Sequence, residues 1–301
     1  MRAISLPLLP ILPAGNDALA RGPADPDPPL RAPALGGRFR DLGLRLASAA
    51  VLVPVALLGV WWGDGPFVAL VALLAAGLIW EWAGITFGER AGAARIFGAI
   101  ALIAVSLACA MEGVAWAVLL LLVAGAASLP LFPPRRFASG LLYVGAAAIA
   151  LLWLRNRPQS GSLEVFFLLF VVWATDSGAY LAGRLIGGPK LAPRLSPAKT
   201  WAGLAGGMGM AFLIAALFPL YVGASPAAAL RAGSIGMGLA LVAQGGDLAE
   251  SALKRRFGKK DSGHLIPGHG GLLDRLDGLL AAAPMAALLA LILGRRTLLW
   301  I

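Results

Sequence analysis

Charge is scarce in this sequence: 13% of its 301 residues are Asp, Glu, Lys or Arg, against about 25% in soluble domains. That shortage, with 59% hydrophobic residues and a mean hydropathy of +0.82, excludes a water-soluble globular chain. Cysteine is nearly absent as well. The single Cys109 lies within an apolar run, which rules out an intrachain disulfide or a thiolate metal cluster and leaves it a packing role. Acidic residues number 15 against 25 cations, for a net charge of +10. Such an excess can signal nucleic acid, but here the Lys and Arg residues sit in short loops between apolar runs. No basic face with an aromatic platform is present, so nucleic acid is excluded as a partner.

What the sequence has in abundance is apolar runs of about 18 residues or more, the mark of an all-α, polytopic helical membrane protein. Residues 1–42 differ. They are rich in Pro, Ala, Gly and Arg without helical or strand period, and we read them as a disordered cytoplasmic tail ahead of a membrane-embedded domain at 43–301. MRAISLPLLPIL has the outline of a signal peptide, but Pro7, Pro10 and Pro13 interrupt its apolar part. About nine transmembrane spans follow, at 44–62, 66–87, 96–111, 114–132, 138–154, 163–183, 202–222, 227–246 and 272–293. With the N-terminus in the cytoplasm, 20 of the 25 cations fall on the cytoplasmic side, the sense the positive-inside rule requires. The same orientation brings the 184–201 and 247–275 loops together on that side, where nucleotide and magnesium are available.

The most polar stretch is GDLAESALKRRFGKKDSGHLIPGHGGLLDRLDG at 246–278, bracketed by apolar runs. Acids beside a membrane span are costly and mark a functional site by default. Asp247, Glu250, Ser251 and Lys254 recur at helical spacing, so a helix leaving the membrane would show them on one face. Asp274 and Asp277 repeat the pattern where the next helix begins. Two helix ends bearing carboxylates suit Mg²⁺, which takes one or two protein carboxylates and completes its shell with water and phosphate. The plainer alternative is that these acids pair with Arg255, Arg256 and Arg275, as surface ions commonly do. Lys254, Arg255, Arg256, Lys259 and Lys260, followed by PGHGG, have the composition of an anion-binding loop or of a topology signal. His269 suits a hydrogen-bond donor to phosphate, or a general acid or base.

Two further segments are candidate partners. ATDSGAYLAGRLIG at 174–187 puts Asp176 inside an apolar run, with Tyr180 and Arg184 following at helical spacing, either as a cavity wall or as an internal Asp176–Arg184 pair. In LSPAKTWAG at 195–203, Ser196, Lys199 and Thr200 precede an apolar helix and would hold a phosphate at its N-terminus or simply cap it. Glu81, between Trp80 and Trp82, reads as an interface anchor and stands outside the proposed site.

Taken together, Ser251-x-x-Lys254-Arg255, Lys260-Asp261 and Pro267-Gly268-His269-Gly270-Gly271-x-x-Asp274-Arg275-x-Asp277 resemble the signature of the phosphatidate cytidylyltransferases. GDLAES at 246–251 and SPAKTWAG also resemble recurrent stretches of that family, though Ala198 and Ala202 stand where it usually has lysine and glutamate. The resemblance covers roughly residues 44–301. It implies transfer of the cytidylyl group from CTP to phosphatidic acid, giving CDP-diacylglycerol and pyrophosphate, at the inner membrane of a bacterium with the site facing the cytoplasm. It assigns a metal centre of Mg²⁺, alone or paired with K⁺, to Asp247 and Asp274. Lys254, Arg255, Lys260 and Arg275 would hold phosphates, and Asp277 and His269 would support the ligand shell. Asp176, Tyr180, Ser196, Lys199, Thr200, Ser251, Gly270 and Gly271 would complete the substrate cavity, which opens to membrane lipid. The resemblance leaves room for a homodimer. Other classes fit less well. A secondary transporter is expected to show internal repeats and a midplane site, and a lipid kinase would consume ATP, yet the G-x-x-x-x-G-K-[ST] loop is missing.

Overall fold

The computed structural model describes residues 35–132, 135–158, 160–263, 265 and 270–293, with side chains from Ser48 onward. Asp41–Ile301 form one compact unit. The described residues form nine α-helices: α1 (Leu35–Trp62), α2 (Asp64–Phe87), α3 (Gly92–Met111), α4 (Val114–Leu131), α5 (Arg136–Arg155), α6 (Gly161–Leu185), α7 (Trp201–Tyr221), α8 (Pro226–Arg256) and α9 (Leu273–Ile292). Helix α1 begins inside the stretch that the sequence reading gave to a tail, while residues 1–34 lie outside the described residues. A 3₁₀ turn at Gly88–Ala91 folds α3 back against α2.

The all-α class is as the sequence implies. Among the described residues, seven helical stretches are long and apolar enough to cross a membrane, with Asp64–Met111 counted as a single stretch through its 3₁₀ turn. Ser48–Trp62, within α1, is a shorter apolar helix. The sequence reading expected about nine spans, so length and apolarity alone account for fewer. Large apolar side chains face outward along these helices, among them Trp61, Leu73, Met111, Trp116 and Leu213. An outer surface of this kind suits lipid rather than water.

Helix α8 is the exception in length. Its 31 residues reach about 46 Å at the usual rise, well beyond a hydrocarbon core of about 30 Å, so its polar C-terminal turns extend past the apolar part. The sequence explains both of its ends. Ser225 accepts from the Ala228 amide and Pro226 takes the first helical position, while Lys254, Arg255 and Arg256 complement the dipole in the last turn.

The 184–201 segment, expected as a loop, contains an antiparallel hairpin of β1 (Lys190–Ala192) and β2 (Ser196–Thr200), paired Lys190 with Thr200 and Ala192 with Ser196. Its proline-interrupted sequence gave no alternation long enough to reveal strands. At the end of β2, Thr200 Oγ1 accepts from the Gly203 amide at 3.0 Å and caps α7.

Helices α6, α7, α8 and α9 pack in series, and α5 joins α9 to the α2–α4 group. Small residues let the backbones approach, as is usual where lipid supplies no hydrophobic drive between helices. A Cβ on Gly206 of α7 would stand 2.2 Å from Ala182 Cβ of α6, and one on Gly246 of α8 would stand 2.7 Å from the Asp277 carbonyl of α9. The second contact matters for chemistry, because it brings Asp247 on α8 beside the acidic first turns of α9.

Candidate active site

A cavity of about 620 Å³ lies between α6, β2, α7, α8 and α9. Helix α6 contributes Asp176, Tyr180 and Arg184, the hairpin and α7 start contribute Lys199 and Thr200, α8 contributes Gln244 and Asp247, and α9 contributes Asp274, Arg275 and Asp277. An equally large groove of about 610 Å³ is lined by Trp61, Phe166, Phe170, Phe218, Tyr221 and other apolar residues. That groove offers nothing to bind a charged nucleotide.

Two ion pairs organise the polar cavity. Lys199 Nζ donates to Asp247 Oδ2 at 2.6 Å and to Gln244 Oε1 at 3.0 Å, so the hairpin is tied to α8 by the residue that ends in the cavity. Ser251 Oγ, one turn along α8, donates to Asp247 Oδ1 at 3.4 Å. Lys254 Nζ lies 2.5 Å from Asp274 Oδ1 and 3.3 Å from Glu250 Oε2, bridging α8 to α9. The other oxygen of Asp274 accepts from the Ser262 amide at 3.1 Å and the Gly271 amide at 3.1 Å, and lies 2.9 Å from Ser262 Oγ. Asp274 is therefore fixed on both faces, whereas Asp247 is less enclosed, with its side chain 32% exposed against 13%. Asp277 Oδ1 accepts from the Gly278 amide at 2.6 Å.

Each expected site residue can now be located. Asp176, Tyr180, Lys199, Thr200, Asp247, Asp274, Arg275 and Asp277 share one cavity although they come from segments up to about a hundred residues apart. Lys254 and Ser251 support its acids from α8. Arg184 donates to Tyr180 Oη at 2.7 Å. Gly271 donates to Asp274, and a Cβ on Gly270, whose φ is +81°, would stand 3.6 Å from Asp274 Oδ2. Three residues lie elsewhere. Ser196 pairs in the hairpin, Lys260 is exposed, and exposed Arg255 donates through Nε to the Leu195 carbonyl at 3.5 Å. His269 lies outside the described residues.

The donor set fits a hard divalent cation that brings its own ligands. Among the described residues, no group of three or more His, Cys, Asp or Glu side chains could hold a metal by itself. Four carboxylates, Asp176, Asp247, Asp274 and Asp277, nevertheless line the cavity. One or two of them with water and a polyphosphate make the coordination that Mg²⁺ favours. Asp247 and Asp274 each pair with a lysine ammonium, Lys199 and Lys254.

The sequence reading missed Gln244 and Ser262 and left Glu81 outside the site as an interface anchor. Gln244 and Ser262 gave no signal, since an amide or hydroxyl acquires a role only through a fold contact. Glu81 did give one: an acid inside an apolar run. It is 3% exposed, and its carboxylate accepts from the Leu272 and Leu273 amides and lies 3.0 Å from Ser262 Oγ.

Comparison with known proteins places the chain among cytidylyltransferases. Residues 43–293 match the cytidylyltransferase family. Phosphatidate cytidylyltransferase of Brucella suis is 39% identical over 254 residues, covering 81% of this chain and 92% of that protein. The Pseudomonas aeruginosa protein of the same name is 38% identical over 262 residues, covering 81% of this chain and 95% of its own length. That of Bacillus subtilis is 43% identical over 143 residues, covering 48% and 53%. With its acids, lysines and arginines gathered round one cavity and the match running through nearly all its helices, this chain belongs to the cytidylyltransferase family.

Proposed function

We infer that the chain transfers the cytidylyl group from CTP to phosphatidic acid, giving CDP-diacylglycerol and pyrophosphate. The observation that carries the reading is the pair of lysine-neutralised carboxylates, Asp247–Lys199 and Asp274–Lys254, at one cavity in a chain of this family. An oxygen of the phosphatidate monoester attacks the α-phosphorus of CTP, a new P–O bond forms, and the bond from the α-phosphorus to the bridging oxygen breaks to release pyrophosphate. The nucleophile already carries about −1.5 to −2 charge at pH 7, so no strong general base is needed. What the protein must supply is position and charge neutralisation.

The chain's own groups divide that work. Arg184 and Arg275 bring guanidiniums to the cavity, where each can meet phosphate oxygens with paired donors. Lys199, held by Gln244 and Asp247, stands at the α7 N-terminus, which itself favours an anion. Lys254 draws α8 and α9 together by engaging an acid on each. Asp247 and Asp274 would hold Mg²⁺, alone or beside K⁺, which when bound supplies Lewis-acid neutralisation of the phosphates. Asp176 and Tyr180 form the α6 wall.

We place the nine helices across the inner membrane of a bacterium, N-terminus in and C-terminus out, with the site facing the cytoplasm and open to lipid. The 20-to-5 cation distribution supports this orientation. The sequence-derived division into a tail at 1–42 and a membrane domain at 43–301, and association as a homodimer, belong to the same proposal. In a Cys109→Ser background, Lys260→Cys and Glu112→Cys, both exposed, are expected to react with an impermeant thiol reagent from opposite sides of oriented vesicles. Labelling of both from one side would overturn the orientation.

The activity is tested by supplying purified protein with phosphatidic acid and labelled nucleotide. CTP is expected to be consumed with release of pyrophosphate. Release of ADP from ATP instead would make the protein a lipid kinase.

A further inference from the structure

We propose that Glu81 of α2 is a positioning residue for this reaction, acting through Ser262 to fix the orientation of Asp274. The proposal rests on the placing of Asp274 in the active site. Glu81 is 3% exposed within an apolar helix, where an unpaired carboxylate is costly. No ion pair of Glu81 is found among the described residues. Its charge is met by donors from one end of the α8–α9 connection and the start of α9: the Leu272 amide to Oε1 at 2.9 Å, the Leu273 amide to Oε2 at 2.8 Å, and Ser262 Oγ at 3.0 Å from Oε2.

This arrangement caps α9 from another helix. The N-cap residue of α9 is Leu272, which has no side-chain acceptor, so the first amides would otherwise be unsatisfied. Glu81 supplies the missing acceptor from a position 191 residues away in sequence from Leu272, and its charge sits favourably at the positive end of the helix. Asp274, one residue beyond Leu273, accepts the neighbouring Gly271 amide. Both acids thus organise the same helix start, with Ser262 between them.

The link through Ser262 makes Glu81 more than a cap. Ser262 Oγ lies 3.0 Å from Glu81 Oε2 and 2.9 Å from Asp274 Oδ2, but a hydroxyl has one proton to donate. Whichever carboxylate receives it, the other must rely on its backbone donors, so the two acids are coupled through one group. The local glycines fit this contact closely. A Cβ on Gly263 would stand 2.6 Å from Glu81 Oε1, and one on Gly271 would stand 1.8 Å from Ser262 Oγ and 2.8 Å from Glu81 Oε2. A second tie lies one helical turn away, where Lys259 Nζ donates to the Gly84 carbonyl at 2.6 Å. Helix α2 is in turn held by Trp82 Nε1 donating to the Arg136 carbonyl at 3.0 Å.

The test is a double-mutant cycle with Glu81→Gln and Asp274→Asn, read as kcat, KM for CTP and melting temperature in detergent. Glutamine keeps the shape but leaves one of the amide donors without an acceptor. In the otherwise native chain it is expected to lower kcat roughly tenfold, with KM changed much less, and to lower the melting temperature. In the Asp274→Asn background its effect on kcat is expected to vanish while its effect on melting remains. Ser262→Ala keeps the two amide bonds to Glu81, so it is expected to lower kcat with a smaller loss of melting temperature, and it serves if Glu81→Gln fails to fold. Loss of melting temperature alone, or equal kcat losses in both backgrounds, would overturn the proposal. For Ser262→Ala the overturning result is an unchanged kcat. If the native protein does not turn over CTP and phosphatidic acid, it is the assignment of function that fails, and the melting data still report whether Glu81 caps α9.

Discussion

Asp247→Asn is expected to lower kcat for cytidylyl transfer by about 10²-fold or more while leaving the melting temperature close to that of the native protein, whereas Asp274→Asn is expected to lower kcat by a similar, still measurable factor and to melt lower as well. The loss of turnover follows from removing charge that a hard cation and its phosphates require, by analogy with a lost electrostatic donor. The difference in stability follows from the hydrogen bonds. At Asp247 an amide can turn its oxygen to Lys199 and its NH₂ group to Ser251 Oγ, which can accept as well as donate. At Asp274 no orientation works: one face meets the Lys254 ammonium and the other meets donors from Ser262 and Gly271, so the NH₂ group always opposes a donor. A buried donor left without an acceptor costs about 1–3 kcal/mol. Turnover measured against Mg²⁺ concentration, beside melting in detergent, checks both halves. Near-native turnover and an unchanged Mg²⁺ requirement in both variants would refute the metal assignment, because acids that serve only as ion-pair partners affect stability rather than chemistry.

The membrane class and most helices were legible because a long apolar run has few alternatives in lipid, where the backbone must satisfy its own hydrogen bonds. The polar ends were harder. The sequence ended the eighth membrane span at 246 and expected its helix to leave the membrane, and helix α8 does continue unbroken to Arg256 because Ala, Leu and Lys favour helix whether or not lipid surrounds them. The same continuity put Asp247, Ser251 and Lys254 on one face, as their spacing implied. The cavity acids could be found from sequence because charge beside apolar runs is conspicuous. Their partners could not. Nothing in QGGD or KDSG reveals that Gln244 holds Lys199 or that Ser262 stands between Glu81 and Asp274, since those contacts exist only after helices distant in sequence have packed. Lys254 also changed character. The sequence put it on the α8 face beside the acids and among the residues that would hold phosphates, and in the structure its side chain is 13% exposed and engages Glu250 and Asp274.

That enclosure sets the second large expected effect. Lys254→Ala would leave Glu250 and Asp274 facing each other across the α8–α9 contact without their shared cation. Glu250 is buried, and burial together with the neighbouring Asp277 pushes its carboxyl up to about 9, with Lys254 Nζ standing 3.3 Å from Oε2 as the cation that opposes that shift. Removing one member of a buried pair costs about 3–5 kcal/mol, mostly through the charge left behind. A large drop in melting temperature and loss of turnover are therefore expected together, which alone would not separate scaffolding from catalysis. Glu250→Gln added to Lys254→Ala resolves them. It removes the acid that crowds Asp274 and Asp277 and should restore part of the melting temperature, but Asp274 still lacks its ammonium, so kcat should stay at least about 10²-fold down. If kcat recovers in step with the melting temperature, Lys254 serves only to neutralise Glu250, and the charge balance of the α8–α9 contact is a matter of folding rather than of nucleotidyl transfer.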